Sequence, residues 1–267
     1  MWGRRVMEIS DQDREALRTA KGLLERTNLA IKLANMLGYS IEHGVMLLPE
    51  RWSEPIQQAT RKALEQALQS AIRTLNKDRR TAPANFLHRG LVAASGAASG
   101  MMGLGALLLE LPVSTTLILR SIADIARSEG ENLGEPECQL ACLEVFALGG
   151  RSSDDESAET GYFAVRTALA RSVSEAAGFL AKRGLTDQGA PALVRLIGAI
   201  AARFQSVVSE KVLAQSVPIL GAIGGAAVNT IFIDHFQNVA RGHFIVRRLE
   251  RTYGAEPVRS LYAQLVP

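Results

Sequence analysis

The chain has 267 residues, of which 47% are apolar and only 5% aromatic, and its formal net charge is +3. That length allows one large domain or two small ones, and the ordinary apolar fraction excludes a protein made mostly of membrane-spanning helices. The small charge, without a lysine-rich tail or interleaved arginines and aromatics, leaves nucleic acid out of the expected partners.

The N-terminal stretch "MWGRRVMEISDQDREALRTA" carries two arginines with no apolar segment behind them. No secretory signal is expected, and the expected compartment is the cytoplasm. A helix is predicted from the cap residues Ser10 and Asp11 to Gly38. Pro49 then breaks the chain, and Ser53 is predicted to cap a helix with Pro55 in its first turn. Along that helix Ile56, Ala63, Leu64, Ala67, Leu68, Ala71, Ile72 and Leu75 recur at three- and four-residue steps. They form one apolar face, so this helix packs against something.

A basic connector with Arg79, Arg80 and Arg89 leads into Gly90–Leu109, a run of 20 residues without a charge. That is the length of a bilayer-crossing helix. It is rich in Gly, Ala and Ser, so each residue brings little apolar area, and no Trp or Tyr belt flanks it. A second apolar run, Val212–Ile233, contains Gln215, Pro218 and Asn229. The spacing of Gly96 and Gly100, and again of Gly221 and Gly225, places each pair on one helical face, which lets two backbones approach closely. Two such helices fit the buried centre of a bundle better than a spanning hairpin, with Glu110 and Pro112 at a break between helices.

Between these runs "GEPECQLACLEVFALGG" reads as a helix ending at Gly149-Gly150, with Gly150 in a loop that tolerates alanine. Cys138 and Cys142 share a helical face there, but two ligands cannot close a tetrahedral metal site. They read as buried thiols in a reduced compartment. The acidic stretch 151–160 reads as an exposed loop. Helices resume at "TGYFAVRTALARSVSEAAGFLAK" and "ALVRLIGAIAARFQSVVSEKVLAQ", and no alternating strand pattern occurs. The expected fold is all-α: one domain over residues 1–267, a multi-helix bundle with two glycine-rich apolar helices buried at its centre.

Signatures of catalysis are absent: no P-loop, no H-E-x-x-H, no G-x-S-x-G, and "GMMGLG" follows no strand. Asp234, His235 and His243 are of ligand type, yet eight residues separate the histidines. That is roughly 12 Å of helical rise, too far for one ion unless the helix breaks at Gly242. No metal or cofactor is expected. The polar residues beside the apolar runs are Glu110, Arg120, Asp124, Asn229, Asp234 and His235. Arg120 and Asp124 stand four apart and can pair on a helix. The set reads first as a buried network fixing the packing of the glycine-rich blocks, with a solvated pair and a ligand or catalytic site as the alternatives.

Taken in order, "PIQQATRKALEQALQSA", the glycine run with its acid-Leu-Pro triplet, "LILRSIADIARSEGE", "CLEVFALGG", "GYFAVRTALA" and "VPILGAIGGAAVNTIFIDHFQNVARGHFIVRRLE" resemble the EcsC protein family. The triplet is commonly Asp-Leu-Pro in that family; here it is Glu110-Leu111-Pro112, which keeps the carboxylate on a longer arm. The family is named for a gene beside an ABC transporter pair, so the resemblance implies a membrane surface or a membrane transporter complex as partner. The expected function is therefore a non-enzymatic helical interaction protein, cytoplasmic and peripheral to the membrane. An enzyme using the carboxylates and an integral membrane protein with glycine-rich hairpins are the two alternatives.

Overall fold

The computed structural model describes residues 8–25, 29–37, 48–75, 91, 103–150, 161–184, 190–216 and 221–266 of the chain. Gly96, Gly100 and the 151–160 stretch lie outside the described residues. Among the described residues there are nine α-helices and no strand, the all-α bundle expected. They are α1 (Asp11–Glu25), α2 (Leu29–Leu37), α3 (Ser53–Thr74), α4 (Gly103–Ser128), α5 (Pro136–Leu148), α6 (Gly161–Arg183), α7 (Pro191–Ser216), α8 (Gly221–Tyr253) and α9 (Ala255–Gln264).

The amphipathic stripe of α3 faces inward: Ile56, Ala63, Leu64, Ala67, Leu68, Ala71 and Leu75 are buried against α4 and α7. Its start differs from expectation. A short 3₁₀ turn, Glu50–Trp52, runs straight into the helix, so Trp52 is the capping position and Ser53 is already helical. At α1 the expected cap forms, with the Asp13 amide donating to Ser10 Oγ at 3.2 Å.

The expected break at Glu110 and Pro112 is corrected. α4 runs through Pro112 without a turn, although proline supplies no N–H to the carbonyl one turn before it. Buried Leu111, Ile118, Leu119 and Ile122 hold the helix to its neighbours on both sides of that gap. α8 likewise runs 33 residues without breaking at Gly242. There glycine serves closeness: a Cβ would lie 2.7 Å from Leu24 Cγ, where α1 lies along α8.

The helix surrounded on every side is α5, in which all residues from Cys138 to Ala147 are buried. α6 and α7 make its largest contacts, and α3, α4 and α8 also pack directly against it. The few aromatics concentrate here. Phe146 of α5 meets Phe204 of α7 at 4.9 Å and Phe236 of α8 at 5.2 Å, ring centre to ring centre. Gly225 of the second glycine-rich block is buried as well, whereas α4 keeps an exposed strip at Leu109 and Val113. A smaller cluster joins α1, the end of α8 and α9, which turns back through Gly254 at a φ of 92° that favours glycine.

Candidate functional site

Glu110 sits on the inner face of α4, opposite the last turns of α7 and the first turns of α8. Its Oε2 accepts from Lys211 Nζ at 3.0 Å and its Oε1 accepts from Asn229 Nδ2 at 3.0 Å. Lys211 Nζ also donates to Ser114 Oγ at 3.2 Å and lies 4.7 Å from the Phe232 ring centre. Gln215 Nε2 donates to Asn229 Oδ1 at 3.3 Å. Lys211, Asn229 and Ser114 are completely buried and Glu110 is 8% exposed. Three helices are thus tied through one carboxylate with both oxygens engaged. A buried ion pair that is fully hydrogen-bonded fixes register between helices.

The other residues of the sequence-derived set are elsewhere. Arg120 is exposed, roughly 15 Å along α4 from Glu110 at 1.5 Å per residue. Asp124 pairs with Arg127 at 2.9 Å instead of Arg120, and Arg127 reaches on to the Leu75 carbonyl at 3.1 Å, closing the ends of α3 and α4 together. Asp234 is half-buried on α8, five residues past Asn229 and so turned to a different face. His235 bonds the Gly149 carbonyl through Nε2 at 2.8 Å, while His243 faces Tyr162. The residues that complete the cluster, Lys211, Ser114 and Gln215, were not singled out from sequence. Lys211 had a signal: it is three and four residues after Val208 and Val207, inside the apolar face of α7.

A second polar assembly lies between α5, α6, α8 and α9, around a cleft of about 720 Å³. Arg166 of α6 grips Glu250 of α8 with two bonds, at 2.8 and 2.9 Å. Arg247 does the same to Glu131, at 2.9 and 3.1 Å, and Arg251 also bonds that carboxylate. Burial works to raise the Glu131 pKa, but the bonds from Arg247 and Cys138 and the charges of Arg247 and Arg251 outweigh it, and the net shift is downward. Tyr162 Oη lies 3.0 Å from His243 Nδ1. Burial, then the charges of Arg166 and Arg247, push the His243 pKa well below the usual value, so its ring is neutral.

Glu144 of α5 lines this cleft and is 6% exposed. Among the described residues its carboxyl has no hydrogen bond. Burial drives its pKa up to about 7, against the pull of Arg166 and Arg247. Both nearby guanidiniums are committed to other carboxylates. A sequence signal existed here too, because an acid within a helix apolar all round has to be buried.

These helices form a bundle in which a buried Lys–Glu–Asn cluster ties the start of α4 to the end of α7 and the start of α8, with a polar cleft at one side. The sequence model of the EcsC protein family matches residues 12–249, nearly the whole chain, and the chain belongs to that family. Compared with curated proteins and with solved structures, it matches none.

Proposed function

We propose that this chain is a non-catalytic, cytoplasmic interaction protein that attaches peripherally to a membrane through the α4 end of the bundle. The observation that carries the reading is the strip of Leu109, 76% exposed, and Val113, 55% exposed, one turn apart on α4. Single exposed apolar residues are ordinary. Here they continue a 20-residue stretch of sequence without a charge, preceded by Arg79, Arg80 and Arg89, which suit an anionic surface. Directly beneath, the Glu110–Lys211–Asn229 cluster locks α4 against α7 and α8. With both Glu110 oxygens bonded and Asp124 and Asp234 elsewhere, that cluster serves packing.

Peripheral attachment is preferred to spanning on a further ground. Among the described residues one helix, α7 from Pro191 to Gln215, is long and apolar enough to cross a bilayer. It carries Arg195, Arg203 and the buried Lys211, and it packs Leu196, Ile200, Phe204 and Val208 into the bundle. Those charges and that packed face argue against a lipid-surrounded span. A membrane transporter complex is the protein partner we propose beside the lipid, and a pull-down from native membranes tests it.

Vesicle flotation tests the lipid contact. The protein should float with phosphatidylcholine–phosphatidylglycerol vesicles and be released by carbonate. Leu109→Glu with Val113→Glu should weaken binding by about tenfold or more, since burying either side chain contributes about 1.5–3 kcal/mol. Equal flotation of the double variant, or retention through carbonate, would overturn peripheral attachment at this strip.

A further inference from the structure

We propose that the cleft between α5, α6, α8 and α9 binds a small organic cation with an apolar body, its ammonium group seated on the Glu144 carboxylate. This rests on the cleft alone and stands or falls apart from the membrane reading. The volume of about 720 Å³ suits a small molecule. One wall is apolar, made by Phe163, Ala170, Val173 and Ala177 on one face of α6. The polar lining carries five glutamates, Glu135, Glu137, Glu144, Glu250 and Glu256, against three arginines, Arg166, Arg247 and Arg259. The excess is acidic, so the field in the cleft favours a positive guest.

The decisive feature is Glu144, a buried residue that lines the cleft and whose carboxyl has no hydrogen bond among the described residues. Buried polar groups in folded proteins are ordinarily bonded, so one left open to a cleft marks a place for a donor. The neighbouring cations do not fill it. Arg166 is held by both oxygens of Glu250 and Arg247 by both oxygens of Glu131. Those bonds leave Glu144 as the carboxylate on the cleft floor that no guanidinium bonds. An ammonium would satisfy that charge, and an anionic guest would meet it as repulsion.

Binding must also compete with the proton. Glu144 is faced by Arg166 and Tyr162 from α6 and by Arg247 and Glu250 from α8, and its pKa is about 7. About nine-tenths of it is ionised at pH 8 and about one-tenth at pH 6, whereas an alkylammonium stays charged throughout. Affinity for a cation should therefore fall about tenfold from pH 8 to pH 6.

The test is a titration of the full chain, followed by calorimetry or NMR, with n-hexylammonium, hexanoate and n-hexanol as probes of equal length. Hexylammonium should bind saturably at pH 8, more weakly by about tenfold at pH 6, and at least tenfold more weakly to Glu144→Gln. Hexanoate and hexanol should bind more weakly than hexylammonium at pH 8. A second variant, Ala170→Phe on the exposed side of α6, should fill the cleft and abolish binding without touching the carboxyl. Absence of saturable hexylammonium binding at pH 8, equal binding of hexanoate or hexanol, or unchanged binding by the Gln or Phe variant would each overturn the proposal.

Discussion

At the scale of single residues, burial decides the chemistry of α5. Glu144 has a folded pKa of about 7 because burial penalises its charge, above the ordinary value of 4.5. Between those two values the folded chain holds a proton that the unfolded chain has released, so stability falls as pH rises through that window. Above it both states are ionised and the cost is constant. Glu144→Gln carries no such cost. The variant should melt near wild type at pH 4.5 and progressively above it up to pH 7.5, by on the order of 3 kcal/mol at most. Parallel thermal melts check this, and a difference between the two proteins that does not change with pH would refute it. The thiols of the same helix are shifted in the inert direction. Burial, then the Glu131 carboxylate, pushes Cys138 up to about 12, and burial raises Cys142 further. Neither presents thiolate at neutral pH, so iodoacetamide should label the native chain far more slowly than the unfolded one. Fast labelling of the native chain would mean that α5 opens to solvent.

At the scale of elements, close approach of backbones is clearest at the end of α5. A Cβ on Gly149 would lie 2.5 Å from the Phe236 ring, and one on Gly150 would overlap the Arg203 carbonyl of α7. Arg203 in turn bonds the Ala147 and Gly150 carbonyls, each at 3.2 Å, so α7 caps α5. Gly150 therefore is not the tolerant loop position its place after a helix suggests. Gly150→Ala should cost about 1–3 kcal/mol, because backbone cannot move aside as a flexible side chain can. Gly178, at the exposed side of α6 with nothing near its Cβ, should gain about 0.5–1 kcal/mol on replacement by Ala. Urea titrations of the two variants, read side by side, decide it: equal midpoints would mean that α5 and α7 do not pack at Gly150. The Glu110–Lys211 pair belongs to this scale too. Lys211→Met alone leaves a buried carboxylate without its ammonium and should cost about 3–5 kcal/mol. Lys211→Met with Glu110→Gln should recover much of that loss, and a double variant as unstable as the single one would count against a charge-specific lock.

At the scale of the whole molecule, what was legible in the sequence follows from periodicity. α3 announces its buried face because polar residues mark the other one, and α1 and the ends of α5 carry their capping residues in plain sight. α5 as the centre was not legible, since a helix buried all round has no polar face to set a period. In the cluster, Glu110 and Asn229 stood out as polar residues beside apolar runs; Lys211 did not, because a lysine near a helix end ordinarily reads as a solvated one. Arg120–Asp124 failed as a pair because helical spacing permits i,i+3 as well as i,i+4, and Arg127 also offers the link to α3. The least legible feature is α9, which lies beyond the family match ending at residue 249. It packs Val258, Leu261 and Tyr262 with Leu17 and Ala20 of α1. The fully buried Lys21 of α1 donates to the Tyr262 carbonyl at 3.1 Å and the Leu265 carbonyl at 2.8 Å. A chain ending at Gly254 would strip that ammonium of both carbonyls, leaving Glu25 at 3.8 Å. An under-satisfied buried charge costs several kcal/mol, and α1 can relieve it only by lifting off α8. Hydrogen exchange read by mass spectrometry should then find the amides of 11–25 deprotected, while those of α3, α4 and α7 keep their protection, since none of these three helices belongs to the α1–α8–α9 cluster. Protection lost evenly along the chain would mean instead that α9 is integral to one cooperative unit.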